Sequence, residues 1–337
     1  MVKVSGNYLI ARTLKEEGVD TLFYLMGGPN FDTIMECQDV GIRTVDFRHE
    51  QAAAMAAHAY SRVTGKPSVV MAASGPGTLN LLTGVYTASI DCAPMVILGG
   101  ASAVHEIGRD TFQEVDQVGI MQPLCKYWHR PTMASRFPEV VSTAYRQAQS
   151  GRPGPVYIDC GGDVLYEEVE EESVPTPSRA LERTRPVATS GDIERAMALI
   201  ANAERPLLFA GGGAFFSGAA PELEKFVDVT SIPFYTAPMS RGLVPEDHAV
   251  SFQGARSTAM RESDVVLVVG TRMNWMMNYG QRFAPNAKII QIDINEAELG
   301  HNRDVEMGIF GDAKAVMAQL LELAQQRSPD FSGALES

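Results

Sequence analysis

Arg48-His49-Glu50-Gln51, followed by Ala52-Ala53-Ala54-Met55-Ala56-Ala57-His58-Ala59-Tyr60, is the stretch around which the chain is organised. Before it, Ile42-Arg43-Thr44-Val45-Asp46-Phe47 alternates apolar and polar residues as a half-buried strand does. After it, small residues recur at helical spacing. Glu50 therefore falls where a strand gives way to a helix. The small side chains let that helix lie close to its neighbours, which puts the carboxylate in a dry, crowded place where it can share a proton with a ligand nitrogen. Taken alone, Glu50 is better explained as a residue that favours a helix N-terminus through the macrodipole.

A second stretch alters that balance. Ser68-Val69-Val70-Met71-Ala72 reads as a strand, and Ala73-Ser74-Gly75-Pro76-Gly77-Thr78-Leu79-Asn80 as a glycine turn that opens a helix, an arrangement that cradles ligands. In this order and at this separation, the two stretches resemble the pyrimidine-binding half of thiamine diphosphate enzymes. The superfamily is that of the acetolactate synthases, 2-hydroxyacyl-CoA lyases and oxalyl-CoA decarboxylases, and the resemblance runs along almost the whole chain. It implies thiamine diphosphate as cofactor, with Glu50 as the catalytic group hydrogen-bonded to the aminopyrimidine ring nitrogen. Gly27, Pro29, Ser74, Gly75, Pro76, Gly77 and Asn80 are implied to line the cofactor site, and Asn30 to contact substrate.

The length of 337 residues suggests about two domains, and 45% hydrophobic with 20% charged residues suffices for ordinary cores. A formal net charge of -13 argues against nucleic acid or an anionic membrane as partner, because neutralising phosphates takes clustered Lys and Arg. The four cysteines, Cys37, Cys92, Cys125 and Cys160, are widely spaced and form no metal-binding pattern. They read as reduced, mostly buried thiols of a cytoplasmic protein. Val4 to Arg12 opens an amphipathic helix without a signal-peptide core, and runs such as Ala93 to Leu98 are too short to span a bilayer.

In residues 1–165, strands at Thr21–Leu25, Ile42–Phe47, Ser68–Ala72, Met95–Leu98 and Pro155–Asp159 alternate with helices, the last of them Leu79–Ala88. This predicts an α/β fold with a doubly wound parallel sheet whose ligands gather at the strands' carboxyl ends, where Gly27, Glu50 and Ser74 emerge. Thr111-Phe112-Gln113-Glu114-Val115-Asp116 reads by itself as an exposed helix start. In the family resembled, Phe-Gln-Glu here borders the substrate pocket, so Phe112 and Gln113 are carried over as substrate contacts. Oxalyl-CoA decarboxylases have Tyr-Glu-Glu at this place, which shifts the implied activity from decarboxylase to lyase.

Residues 166–188, with the acidic run Glu167-Glu168-Val169-Glu170-Glu171-Glu172 and Pro175 and Pro177, read as a linker. A second doubly wound, Rossmann-like domain is expected over 189–326. It opens at Ser190-Gly191-Asp192 as an N-cap for Ile193–Ala203, and has strands at Pro206–Ala210, Asp264–Val269 and Lys288–Asp293. Gly211-Gly212-Gly213 follows the first of these but lacks a full Gly-x-Gly-x-x-Gly fingerprint, so Gly212 is a weak nucleotide contact. Asp293 stands where a ribose-binding carboxylate or a cap would be. Asn274-Trp275, and Arg256 within Ala255-Arg256-Ser257, match the lyases and decarboxylases. With Arg272 they are implied to hold CoA or ADP, Arg being suited to bidentate phosphate contacts. Arg272 and Trp275 serve equally well as packing residues.

The family normally continues into a diphosphate-binding domain whose Gly-Asp-Gly and Asn-rich segments hold Mg²⁺. Gly162-Asp163-Val164 and Gly311-Asp312-Ala313 both depart from that pattern, so no metal ligand is assigned in this chain. After 327–337, read as a tail, the diphosphate domain is expected on a separate polypeptide, unless it was cut away. The resemblance thus implies the large subunit of a split 2-hydroxyacyl-CoA lyase, self-associated as a dimer or α₂β₂ complex and acting on an acyl-CoA. An acetolactate synthase-like or decarboxylase component, and a non-catalytic nucleotide-binding subunit, are the alternatives.

Overall fold

The computed structural model describes residues 2–175, 177 and 184–327. The chain divides into two compact units, Met1–Arg183 and Thr184–Ser337. In the first unit the strands are β1 (Lys3–Ser5), β2 (Thr21–Tyr24), β3 (Arg43–Asp46), β4 (Ser68–Ala72), β5 (Met95–Ala101), β6 (Tyr127–His129), β7 (Pro155–Gly161) and β8 (Glu168–Glu170). The helices are α1 (Gly6–Glu16), α2 (Phe31–Asp39), α3 (Glu50–Thr64), α4 (Pro76–Asn80), α5 (Leu82–Asp91), α6 (Gln117–Met121), α7 (Phe137–Gln149) and α8 (Gly162–Tyr166).

Six of these strands form one parallel sheet in the order β3-β2-β4-β5-β7-β6. β4, β5 and β7 are buried along their whole length, as continuous Val, Ile and Leu runs covered on both faces should be. Leu9, Ile10 and Leu14 of α1 and Phe137, Val140 and Val141 of α7 join Leu22, Val96, Leu98 and Ile158 in one core. On α3 the alanines do what small residues permit: Gly84 of α5 lies so close to Ala54 that any side chain there would overlap it. His49 accepts the Gln51 N–H at the start of α3, and Gly65 ends the helix at φ 70°.

The acidic run expected as linker is partly structured, because β8 pairs antiparallel with β1. Glu171 then anchors the return by accepting from Tyr8 at 3.1 Å and Arg12 at 3.0 Å. Strands of three residues carry too little periodicity to be seen in the sequence, and β6, with the half-exposed Tyr127 and His129, escaped for the same reason. Residues 176, 178–183 and 328–337 of the expected linker and tail lie outside the described residues.

The second unit has β9 (Pro206–Ala210), β10 (Phe234–Thr236), β11 (Val265–Val269), β12 (Lys288–Asp293) and β13 (Met307–Phe310). They form a parallel sheet in the order β10-β9-β11-β12-β13. Its helices are α9 (Ser190–Ala201), α10 (Gly212–Ser217), α11 (Ala220–Thr230), α12 (Arg256–Glu262) and α13 (Ala313–Arg327). Thr189, one residue before the expected cap, accepts the Asp192 N–H and starts α9. No helix among the described residues is long and apolar enough to cross a membrane.

Candidate functional site

In the first unit the strand order reverses between β2 and β4, the place where open parallel sheets bind ligands. Three connections leave the sheet there. β2 runs into Gly27-Gly28-Pro29-Asn30, with a cis bond at Gly28-Pro29, β3 into Glu50 at the first turn of α3, and β4 into Ser74-Gly75-Pro76-Gly77. They are tied together: Ser74 N–H donates to the Gly28 carbonyl at 3.2 Å, and Asn30 Nδ2 to the Ala72 carbonyl at 2.7 Å. A Cβ on Gly27 would come within 2.6 Å of Ala73 Cβ, so the two turns touch and glycine is required.

Glu50 is 8% exposed, and Asn80, at the end of α4, donates from Nδ2 to its Oε2 at 2.9 Å. Its Oε1 faces Gly77, where a Cβ would stand 3.4 Å away. Asn30, also buried, has Oδ1 without a hydrogen-bond partner among the described residues. Gly27, Pro29, Asn30, Glu50, Ser74, Gly75, Pro76, Gly77 and Asn80 thus belong to one cradle.

Gln113 joins it by accepting from Ser74 Oγ at 2.9 Å. Phe112 instead projects outward at 82% exposure. The segment is no helix start until Gln117. It is a turn in which Glu114 takes the N–H groups of Gly108 at 2.5 Å and Thr111 at 3.1 Å, which hold its carboxyl below the usual range. Beside it, Ala101, Ser102, Ile107, Gln113, Gln117 and Arg130 bound a cavity of about 140 Å³.

Sequence reasoning missed what lies behind the Gly75 turn. Gln117, 2% exposed, accepts the Gly75 N–H on Oε1 at 2.5 Å. Its Nε2 lies 2.9 Å from the Gly100 carbonyl, 3.0 Å from Tyr157 Oη and 2.8 Å from Asp159 Oδ1. Tyr157 donates to the same Oδ1 at 2.5 Å, and Arg130 Nε to Oδ2 at 2.5 Å. Burial, followed by the charge of Asp159, pushes the Tyr157 hydroxyl well above its ordinary value. The available signal was Asp159 itself, a carboxylate in a strand otherwise apolar enough to be central.

In the second unit the nucleotide candidates are engaged locally. Cβ atoms on Gly212 and Gly213 would come 3.3 Å from Met239 Cβ and 2.8 Å from Gly270 Cα, so the glycine turn serves close chain packing. Asn274 Oδ1 caps the following turn by accepting Met276 N–H at 3.1 Å, and Asp293 Oδ1 accepts from Asn295 N–H at 2.9 Å, the cap alternative for that residue. Arg272 is half-buried and Trp275 is 71% exposed. Arg256 lies over the ring of Phe209, 5.2 Å from its centroid, where burial and then Arg282 lower its affinity for its proton. The two Gly-Asp pairs are structural. Asp163 accepts the Val104 N–H, and Asp312 caps α13 while accepting from Arg185 and Ser217.

Residues 4–120 match the thiamine pyrophosphate enzyme N-terminal TPP binding domain, and residues 193–320 the thiamine pyrophosphate enzyme central domain. The chain is 37% identical to 2-hydroxyacyl-CoA lyase of Arabidopsis thaliana over 94% of its own length and 56% of the relative's. It is 38% identical to the probable acetolactate synthase large subunit of Methanococcus aeolicus over 95% and 55%. With oxalyl-CoA decarboxylase of Escherichia coli K12 the identity is 34% over 95% and 58%. The chain therefore spans little more than half the length of these relatives. Two parallel-sheet units and a strand-end carboxylate facing a glycine turn agree with both domain matches: the chain belongs to the thiamine pyrophosphate enzymes, of which it carries the N-terminal and central domains.

Proposed function

We propose that this chain is the large subunit of a thiamine diphosphate-dependent 2-hydroxyacyl-CoA lyase, which cleaves or forms the bond between formyl-CoA and a ketone or aldehyde. The observation that carries the reading is Glu50: nearly buried at a strand-to-helix turn, oriented by Asn80, with its other oxygen toward Gly77. These residues fit an aminopyrimidine. Glu50 supplies the hydrogen-bonding carboxylate for a ring nitrogen, and the bare Gly77 leaves room beside Oε1. Asn30 Oδ1, buried and unpartnered among the described residues, offers an acceptor at the same strand ends. Thiamine diphosphate, when bound, supplies the carbanion chemistry. The chain's own part is to orient the ring, hold a proton at Glu50 and present Gln113 from the side of Ser74.

Phe112-Gln113-Glu114, Asn274-Trp275 and Arg256 support an acyl-CoA as substrate, with CoA or ADP in the second unit and Arg256 as its phosphate contact. The diphosphate and its Mg²⁺ belong in this reading to a separate diphosphate-binding subunit in an α₂β₂ assembly. A native pull-down from the host tests the assembly: a second polypeptide should co-purify with thiamine diphosphate, and the chain emerging alone and cofactor-free refutes the split-subunit reading. Formyl-CoA with an aldehyde should then be turned over, whereas turnover of pyruvate alone favours an acetolactate synthase component, the reading that the 38% identity to the archaeal relative supports. Glu50→Gln removes the shared proton and should lower turnover at least ~10²-fold. Near-normal turnover would overturn the assignment of Glu50.

A further inference from the structure

Three hydrogen bonds or contacts join the segment that carries Phe112 and Gln113 to the Ser74-Gly77 turn. Gln113 accepts from Ser74 Oγ, Gln117 accepts from the Gly75 N–H, and the Gln113 carbonyl lies against the Gly75 Cα, leaving 2.5 Å to a Cβ there. Gln117 differs from the other two in being fully enclosed and in facing a charged pair from behind. We propose that Gln117 is the positioning residue that locks the substrate-facing segment to the cofactor turn, and that Tyr157, Asp159 and Arg130 set the orientation of its amide.

The donor and acceptor count dictates that orientation. Gly75 offers a donor, so Oε1 must face it, while the Gly100 carbonyl and Asp159 are acceptors, so Nε2 must face them. A flipped amide would set oxygen against a carboxylate and nitrogen against an N–H, leaving buried groups unpaired on both sides. Arg130 fixes the carboxylate by holding its second oxygen, and Tyr157 donates to the first. The amide therefore has one satisfied state, and that state places the Gly75 N–H.

This role rests on the cofactor reading of the turn, but its first test does not. In the full chain, Gln117→Leu should speed amide exchange across residues 73–80 roughly tenfold relative to wild type while peptides 68–72 and 95–101 keep wild-type rates. Unchanged exchange at 73–80, or equal loss in all three peptides, overturns the proposal. Gln117→Glu keeps the acceptor for Gly75 but loses a donor to Asp159. Protonation restores that donor, so its protection relative to Gln117→Leu should rise as pH falls. The groups facing it are Asp159 and Tyr157 on β7, with Arg130 after β6 behind them, while Asp116, its chain neighbour, is exposed and turned to the Gly119 N–H; a pH-independent difference counts against the assigned orientation.

In the assembled enzyme, Gln117→Leu should also weaken binding of thiamine diphosphate with Mg²⁺ about tenfold. Unchanged binding beside faster exchange overturns the link to the cofactor. If the wild-type assembly takes up no thiamine diphosphate, the proposed function fails while the exchange result still upholds the lock on the turn.

Discussion

Gly75→Ala is the sharpest perturbation of the cradle. Gly75 has φ 57° and ψ -113°, a conformation that L side chains rarely adopt. Its new methyl would stand 2.5 Å from the Gln113 carbonyl oxygen, 2.9 Å from Gln113 Cβ and 3.2 Å from its carbonyl carbon. Ordinary contacts need about 3.5 Å, so the Gln113 backbone must retreat by roughly 1 Å. That retreat stretches the Ser74 to Gln113 and Gly75 to Gln117 bonds together. Strained backbone costs about 1 to 3 kcal/mol and each weakened buried bond about 1, so the first unit should lose roughly 3 to 5 kcal/mol. Gly108→Ala is the control: φ is 80° there but nothing lies within 4 Å, leaving a backbone cost of about 1 to 2 kcal/mol. Urea-dependent amide exchange of the β4 and β5 peptides in the full chain reads the unfolding of this unit directly. If Gly75→Ala proves no more costly than Gly108→Ala, the closeness of Gln113 to the turn is wrong.

Burial pushes the thiols of Cys37 and Cys125 from 9.0 up to about 12, and raises that of Cys160 as well. The unfolded chain therefore loses these protons first, and stability should fall as pH rises from about 9 toward 12 by roughly 1.4 kcal/mol per unit per thiol; a urea midpoint unchanged between pH 8.5 and 10.5 would contradict it. Arg303 donates to the carbonyls of Gly280 at 2.7 Å, Phe283 at 3.1 Å and Ala284 at 2.5 Å. Arg303→Met keeps the apolar stem but abandons all three, and should cost the second unit about 2 to 4 kcal/mol; a loss under about 0.5 in the same exchange measurement on β11 and β12 peptides would refute the brace.

The parallel sheets were legible because β4, β9 and β12 are apolar runs bounded by turn residues, and five or six residues suffice for that pattern. Glu50 and Ser74-Gly77 were legible because a topological rule, ligands at strand carboxyl ends, acts on residues adjacent in sequence to the strands. The same rule gave no hold on Phe112, whose exposure depends on a turn set by Glu114 and two backbone N–H groups. Gln117, Tyr157, Asp159 and Arg130 were illegible as a group, since three separate elements bring them together. The glycines at 211–213 are a weak signal for a related reason. A turn that admits a phosphate and a turn that admits Gly270 need the same missing side chains, and only the neighbouring chain distinguishes them.

Strand order also explains why the cradle takes the form it does. β3 and β4 flank β2, so the starts of α3 and α4 spring from strands separated by two spacings, about 9.6 Å. No backbone bond can close that gap. Gly75 turns the chain so that α4 begins at Pro76, and Asn80, one turn later, comes back toward the helix start. Glu50 reaches from the other side as the first residue of α3, and the 2.9 Å bond between them closes the distance. The β2 connection, Gly27 to Asn30, emerges between the two and is narrow enough at Gly27 to touch Ala73. Topology thus fixes where Glu50 stands, while Asn80 fixes which of its oxygens is left toward Gly77. The Gly75 turn, held from behind by Gln117, is what brings Asn80 within reach, so the buried amide and the Glu50 carboxylate are parts of one chain of constraints.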